Sequence, residues 1–185
     1  GYDLAAWNNE SLMPEAIEVA ENADTVIFVV GFDEKRERKL TGTKSLKLPA
    51  TQAMLLEKIA KLRKKLIIVA MGSGRLDMSF DTVANAVLYM PRTGIYTGKA
   101  LTRLLYGDAN PSGKLPFTMY DDPDGRAKAE RFYKNNGYNK VGTFVGYRRY
   151  DTEEDKVKYP FGHGLSYTKF AFSNRENIQK KENTK

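Results

Sequence analysis

Apolar and polar positions along the chain alternate between two regimes, continuous apolar runs of five to seven residues and longer stretches with apolar positions at helical spacing. Thr25 to Gly31 and Leu66 to Ala70 are runs of the first kind. An apolar run without polar alternation predicts a strand buried on both faces, as in a parallel sheet covered by helices. Ser11 to Ala23 reads as a helix, with Ser11 placed to cap it, Pro14 suited to a first turn, and Ile17 and Ala20 opening an apolar face. Ala50 to Arg63 follows the helical period again, with Leu55, Ile59 and Leu62 on one face and Glu57, Lys58 and Lys61 off it.

The order continues with a short apolar segment at Ala86 to Met90, a helix from about Gly98 to Tyr106 stopped by Gly107, and a further short element at Lys114 to Met119. Strand and helix in alternation predict an α/β fold, a three-layer α/β/α sandwich with a mostly parallel sheet. Right-handed crossovers then place any site on the loops after the strand C-termini: Phe32 to Leu48, Gly72 to Asp77, and Pro91 to Thr97. Beyond Tyr120 the chain turns charged and tyrosine-rich through Asp155, an excursion from the core sheet. Residues 174–185 are polar and basic with Ile178 their one sizeable apolar residue, so a flexible tail is expected after a single domain over 1–173.

A length of 185 residues suits one domain with its own core. The chain has no cysteine and one histidine, His163, which removes disulfides, thiolate sites and a histidine metal cluster and leaves the redox compartment open. No metal or cofactor is expected. No apolar run approaches the ~20 residues of a membrane-spanning helix, and no basic-then-apolar leader opens the chain. The net charge of +7 comes from 30 basic residues interleaved with 23 acidic ones, the pattern of a solvated mixed surface. Gly72-x-Gly74 lacks the third glycine of a dinucleotide fingerprint, and Gly42-Thr43-Lys44-Ser45 lacks the upstream glycine of a phosphate loop. The basic stretches Lys35 to Lys39 and Arg63 to Lys65 lack interleaved aromatics, so nucleic acid is not the expected partner.

Three segments are spelled distinctively: Gly107-Asp-Ala-Asn-Pro-Ser-Gly-Lys-Leu-Pro116, Val145-Gly-Tyr-Arg-Arg-Tyr-Asp151, and Pro160-Phe-Gly-His-Gly-Leu-Ser-Tyr167. In Asn110-Pro-Ser-Gly113 a tight turn is expected, proline fixing φ and Gly113 permitting positive φ. Together these segments resemble glycoside hydrolase family 3, and more narrowly its second, non-barrel α/β domain, from about Asp24 to Ser173. The resemblance implies a β-glucosidase or β-xylosidase parent, a β-linked glucoside or xyloside as ligand, and a separate catalytic barrel as partner. A domain that normally packs on a barrel should expose an aromatic patch, for which Tyr96, Tyr147, Tyr150 and Phe161 are candidates, and self-association could follow where the barrel is absent.

The resemblance also points to the residues that would carry chemistry. Family members share a retaining mechanism between an Asp nucleophile on the barrel and, in many, a Glu acid/base on an α/β-domain loop reading close to Glu-x-Glu-Gly-x-Asp-Arg. Retention needs the two carboxyls about 5–5.5 Å apart. Ungapped spacing from Gly31 to Leu48-Pro49 aligns that loop with Glu37-Arg-Lys-Leu-Thr-Gly-Thr43, which puts Lys39 at the acid/base position. A lysine with a pKa near ~10 cannot deliver and recover a proton as a tuned carboxyl does. Glu37 keeps the first position of the motif. Two further recognition segments align with Met71 to Asp77 and Pro91 to Gly98, where Gly72, Ser73, Arg75, Arg92 and Tyr96 are the candidate sugar-facing residues. All three loops depart from the family pattern, so the expected role is a sugar-pocket wall without independent catalysis. The alternatives are a non-catalytic carbohydrate-binding or scaffold module, in effect a pseudoenzyme, and a basic interaction protein. His163 is expected to be structural.

Overall fold

The computed structural model describes residues 10–32, 46–72, 74–91, 94–120, 147–150 and 157–171. Helix α1 (Met13–Glu21) leads into strand β1 (Thr25–Gly31), helix α2 (Ala50–Lys61) and strand β2 (Lys65–Met71). A 3-10 turn (Ser79–Val83), strand β3 (Ala86–Met90), a second 3-10 turn (Gly94–Tyr96) and helix α3 (Thr97–Leu105) follow. Strands β4 (Met119–Tyr120) and β5 (Val157–Tyr159) flank a short helix α4 (Tyr147–Tyr150).

β1, β2 and β3 form a parallel sheet in that order, with Val26, Phe28 and Val30 in register with Leu66, Ile68 and Ala70, and these last two with Val87 and Tyr89. This face carries the core. Leu55, Leu56 and Ile59 of α2, Met13 and Ala20 of α1, and Leu76, Met78 and Phe80 after β2 close over it. Full burial of a side chain such as Ile68 contributes about 1.5–3 kcal/mol. β2 is buried on both faces, as its unbroken apolar run predicts.

β1 departs from that prediction. Among the described residues it is an edge strand, and Ile27 and Val29, which alternate with buried Phe28 and Val30, are 44% and 43% exposed on its second face. Ser11 does not cap α1 either. Its N-cap is Leu12, without a side-chain hydrogen bond, and the entry is closed by the Met13 amide donating to the Glu10 carbonyl at 2.9 Å.

Lys114 to Met119 does not extend the parallel sheet. Only its last residue is in a strand, and β4 pairs antiparallel with β5. The reason lies in the partnership of the two distinctive segments. The Leu115 amide donates to the His163 carbonyl and the Gly162 amide donates to the Leu115 carbonyl, both at 2.8 Å. Asn110 donates to the Ser166 and Thr168 hydroxyls at 3.0 Å and accepts from the Tyr167 amide at 3.1 Å. Positive φ falls at Gly107, where α3 ends, and not at Gly113, whose carbonyl instead lies where a side chain on Gly164 would stand, 2.2 Å from that added Cβ. The tyrosine-rich excursion is described only at 147–150, and the tail over 174–185 lies outside the described residues.

Candidate functional site

Register places Gly31, Met71 and Met90 at one level, so the three candidate loops leave the sheet side by side at its C-terminal edge. Gly31 is held between two elements. Its amide donates to the Gln52 Oε1 and its carbonyl accepts from the Gln52 Nε2, each at 2.9 Å. A Cβ on Gly31 would stand 1.9 Å from the Met71 carbonyl oxygen, and φ is +144°, so glycine is the residue this close strand approach admits. The loop that leaves after Phe32 returns at Leu46, whose carbonyl accepts from the Asp77 amide at 3.0 Å. Both ends of the segment carrying Glu37 and Lys39 are thereby tied to the sheet edge, while Glu37 and Lys39 themselves lie outside the described residues.

The second loop is positioned by Tyr89. Its hydroxyl lies 3.0 Å from the Gly72 carbonyl and 2.9 Å from the Gly74 carbonyl, so one phenolic proton is shared between them. Its ring meets Phe117 edge-on, with centroids 5.7 Å apart. Gly72 is buried, and its amide donates to the Met90 carbonyl at 3.4 Å, which joins the second and third loops at their roots. Arg75 is half-buried, with Nε donating to the Thr118 carbonyl at 3.1 Å, so its guanidinium braces the segment before β4. The turn after this loop is closed by Asp77, which accepts from the Ser79 amide at 3.0 Å. Ser73 and Arg92 lie outside the described residues, and Tyr96 is exposed at the start of α3.

Gln52 and Tyr89 were not among the candidates read from the sequence. Gln52 carries a usable signal, a polar residue one turn before Leu55 and Leu56 on the apolar face of α2, where burial to 4% exposure demands partners. Tyr89 carries none, because a tyrosine inside an apolar strand is indistinguishable from core.

A second cluster pins β5 to the sheet. The Tyr159 hydroxyl donates to Asp81, whose other carboxylate oxygen lies 2.9 Å from the Lys158 Nζ. Burial, then that hydrogen bond, then the Asp81 charge push the Tyr159 hydroxyl up to about 12. The His163 ring packs on Tyr159 with centroids 4.8 Å apart, a structural setting. Close by in sequence, Tyr147 stacks on Phe161 at 4.4 Å, and both are exposed. The side chain of Tyr150 lies outside the described residues.

Comparison with known proteins agrees with the segments that carried the resemblance. Residues 5–167 match the family model of the glycosyl hydrolase family 3 C-terminal domain. The chain is 32% identical to the thermostable beta-glucosidase B of Acetivibrio thermocellus over 89% of its own length and 22% of that protein. It is 34% identical to the probable beta-D-xylosidase 6 of Arabidopsis thaliana over 93% of its length and 22% of that protein. The crystal structure of the Bifidobacterium adolescentis GH3 beta-glucosidase superimposes with a TM-score of 0.75 at 32% identity, covering 86% of this chain and 24% of that one. The chain thus spans about a fifth of the length of these relatives. It has the α/β fold of that domain and belongs to glycosyl hydrolase family 3, as a C-terminal domain.

Proposed function

We propose that this domain forms one wall of the sugar pocket of a family 3 glycoside hydrolase of the β-glucosidase or β-xylosidase class, and that it is inactive alone. The observation that carries the reading is that the loop bearing Glu37 and Lys39 keeps both anchors, Gly31 on Gln52 and Leu46 on Asp77, while residue 39 is lysine. Gly72, Ser73, Arg75, Arg92 and Tyr96 belong to the neighbouring loops of that wall. The barrel of the same architecture supplies the nucleophile, and exposed Tyr96 together with the Tyr147–Phe161 stack offers it an aromatic surface. Without a carboxyl at residue 39, the leaving oxygen departs unprotonated and water is not activated for the second step.

The test replaces the equivalent domain of the A. thermocellus relative with this chain and measures turnover of aryl β-glucosides with good and poor leaving groups. The hybrid should turn over only activated substrates, slowly, and Lys39→Glu should raise turnover of poor-leaving-group substrates more, by about 10²-fold. No gain from that substitution, or turnover by the isolated chain that Glu37→Gln abolishes, overturns the reading.

Lys39 itself favours a second reading, a carbohydrate-binding or scaffold module with no catalysis. Sugar binding by the hybrid with no gain from Lys39→Glu selects it. The interaction-protein reading requires tight binding to DNA or RNA that persists above physiological salt. Weak binding erased by salt is expected instead.

A further inference from the structure

Tyr89 brings more chemistry to its position than packing needs. It lies in register with Ala70 and, across β2, with Val30, both buried, so its ring belongs to the core layer of the sheet. A phenylalanine would fill that space as well. The phenol instead ends on the loop after β2, with its hydroxyl 3.0 Å from the Gly72 carbonyl and 2.9 Å from the Gly74 carbonyl. A tyrosine hydroxyl carried into the protein takes a polar partner, and here it takes two backbone groups of one short stretch of chain.

Further contacts close a bracket around that loop. The Gly72 amide donates to the Met90 carbonyl, Arg75 Nε donates to the Thr118 carbonyl at 3.1 Å, and the Phe117 ring stands edge-on to Tyr89. Phe117 and Thr118 are adjacent in the chain, so the ring that fixes Tyr89 and the carbonyl that holds Arg75 belong to one segment. With glycine at 72 and 74 the loop has no side chain at either position to pack with, and its shape is set through its backbone groups. It leaves the sheet at the C-terminal edge, where open α/β sheets place their ligands.

We propose that Tyr89 is a positioning residue for sugar binding: the phenolic proton shared by the Gly72 and Gly74 carbonyls holds the second loop in the form that receives the glycoside, and Tyr89 acts through the loop and not by contact with the sugar. This role rests on the pocket-wall reading and adds to it the group that sets the affinity of one loop. The apparent affinity of a site scales with the fraction of the protein in its binding-competent form. Removing the hydroxyl lowers that fraction and weakens binding, while the chemistry of a sugar once bound is unchanged.

The experiment uses the hybrid enzyme, the A. thermocellus relative carrying this domain, and reads dissociation constants for glucose and for a non-hydrolysed aryl β-thioglucoside by calorimetry. Tyr89→Phe keeps the ring and its contact with Phe117 and removes only the hydroxyl. Both dissociation constants should rise about tenfold, and with an activated aryl β-glucoside KM should rise by the same factor while kcat changes by less than about twofold. A hydroxyl that served stability alone would lower the urea midpoint and leave these constants where they were. Phe117→Leu, which loosens the ring with the hydroxyl in place, should move the constants in the same direction by about threefold, and it decides if Tyr89→Phe does not fold. Unchanged constants in the folded variant, where Arg75→Ala or Lys39→Glu does alter binding or turnover, overturn the role of Tyr89 and leave the pocket wall in place. A hybrid that binds neither ligand, or whose binding and turnover none of these substitutions moves, overturns the pocket wall and the role of Tyr89 with it. A fall in kcat at constant KM would also overturn that role, since the hydroxyl would then act on the reaction and not on the order of the loop.

Discussion

Replacing Gln52 tests whether the root of the first loop is held by hydrogen bonds or by packing. In Gln52→Leu the volume and the apolar contacts of α2 are nearly kept, while the Gly31 amide and carbonyl each lose a partner at 2.9 Å. A polar group left unsatisfied on burial costs about 1–3 kcal/mol, so two such groups set a range of about 2–6 kcal/mol. Gly31 is only half-buried and water can reach it in part, which places the expected loss at about 2–3 kcal/mol. With a urea m-value of about 2–3 kcal/mol/M for a domain of this size, the midpoint should fall by about 1 M with an unchanged slope. Exchange of the Gly31 amide should accelerate in the same variant.

Gln52→Glu separates the two bonds. A carboxylate there still accepts from the Gly31 amide but has no proton for the Gly31 carbonyl, and burial disfavours its charge. The folded-state pKa of that glutamate should therefore rise above its unfolded value. Its stabilising contribution is then present in the protonated form at low pH and is lost as pH rises through the folded value. Relative to the native chain, Gln52→Glu should be strongly destabilised at neutral pH, and the gap should narrow as pH falls. A midpoint shift below about 0.3 M for Gln52→Leu, or a gap for Gln52→Glu that is flat with pH, would refute the clamp.

Gly31→Ala should cost more than either, about 3 kcal/mol or above, since the added Cβ meets the Met71 carbonyl at 1.9 Å and neither backbone can yield without breaking the β1–β2 ladder. A denaturation midpoint near that of the native chain would show that the strands are farther apart than described. The alkaline limb of stability should depend on Tyr159, whose hydroxyl is raised from 10.0 to about 12 chiefly by burial and then by Asp81. A folded value above the unfolded one gives stability that is complete below about pH 10 and lost between about 10 and 12. The difference in urea midpoint between the native chain and Tyr159→Phe should shrink across that window, and a constant difference would sink the assignment.

The elements legible in the sequence are those whose evidence is local. The runs at 25–31, 66–70 and 86–90 and the helical period at 50–63 became β1, β2, β3 and α2 within one or two residues, because apolar continuity and period are set by near neighbours. What failed depended on partners far along the chain. What packs on the second face of β1 is a property of residues distant in sequence and leaves no mark on its composition, so the exposure of Ile27 and Val29 could not be foreseen. Lys114 to Met119 looks like one more strand, yet it is drawn to 157–163 by bonds across some forty residues of intervening chain. The loop positions followed from the strand ends, and the candidates Gly72, Arg75 and Tyr96 lie on or beside those loops. The residues holding those loops, Gln52 and Tyr89, are visible only when side chain and backbone are seen together.

The distinctive segments and the altered loops bear on different parts of the molecule, and this decides how Lys39→Glu can be interpreted. Leu115 with His163, and Asn110 with Ser166 and Thr168, join the two most recognisable segments to each other, at positions concerned with assembling the fold. The first loop is anchored by backbone groups of Gly31 and Leu46 on Gln52 and Asp77, and none of these bonds uses a side chain between residues 33 and 45. On the proposed alignment, an exchange between glutamate and lysine at residue 39 leaves these described anchors untouched. Lys39→Glu should consequently leave the urea midpoint within the range of an ordinary surface substitution, about 0.5 kcal/mol. With that midpoint unchanged, a change in turnover of the hybrid enzyme tests the proton transfer proposed for residue 39.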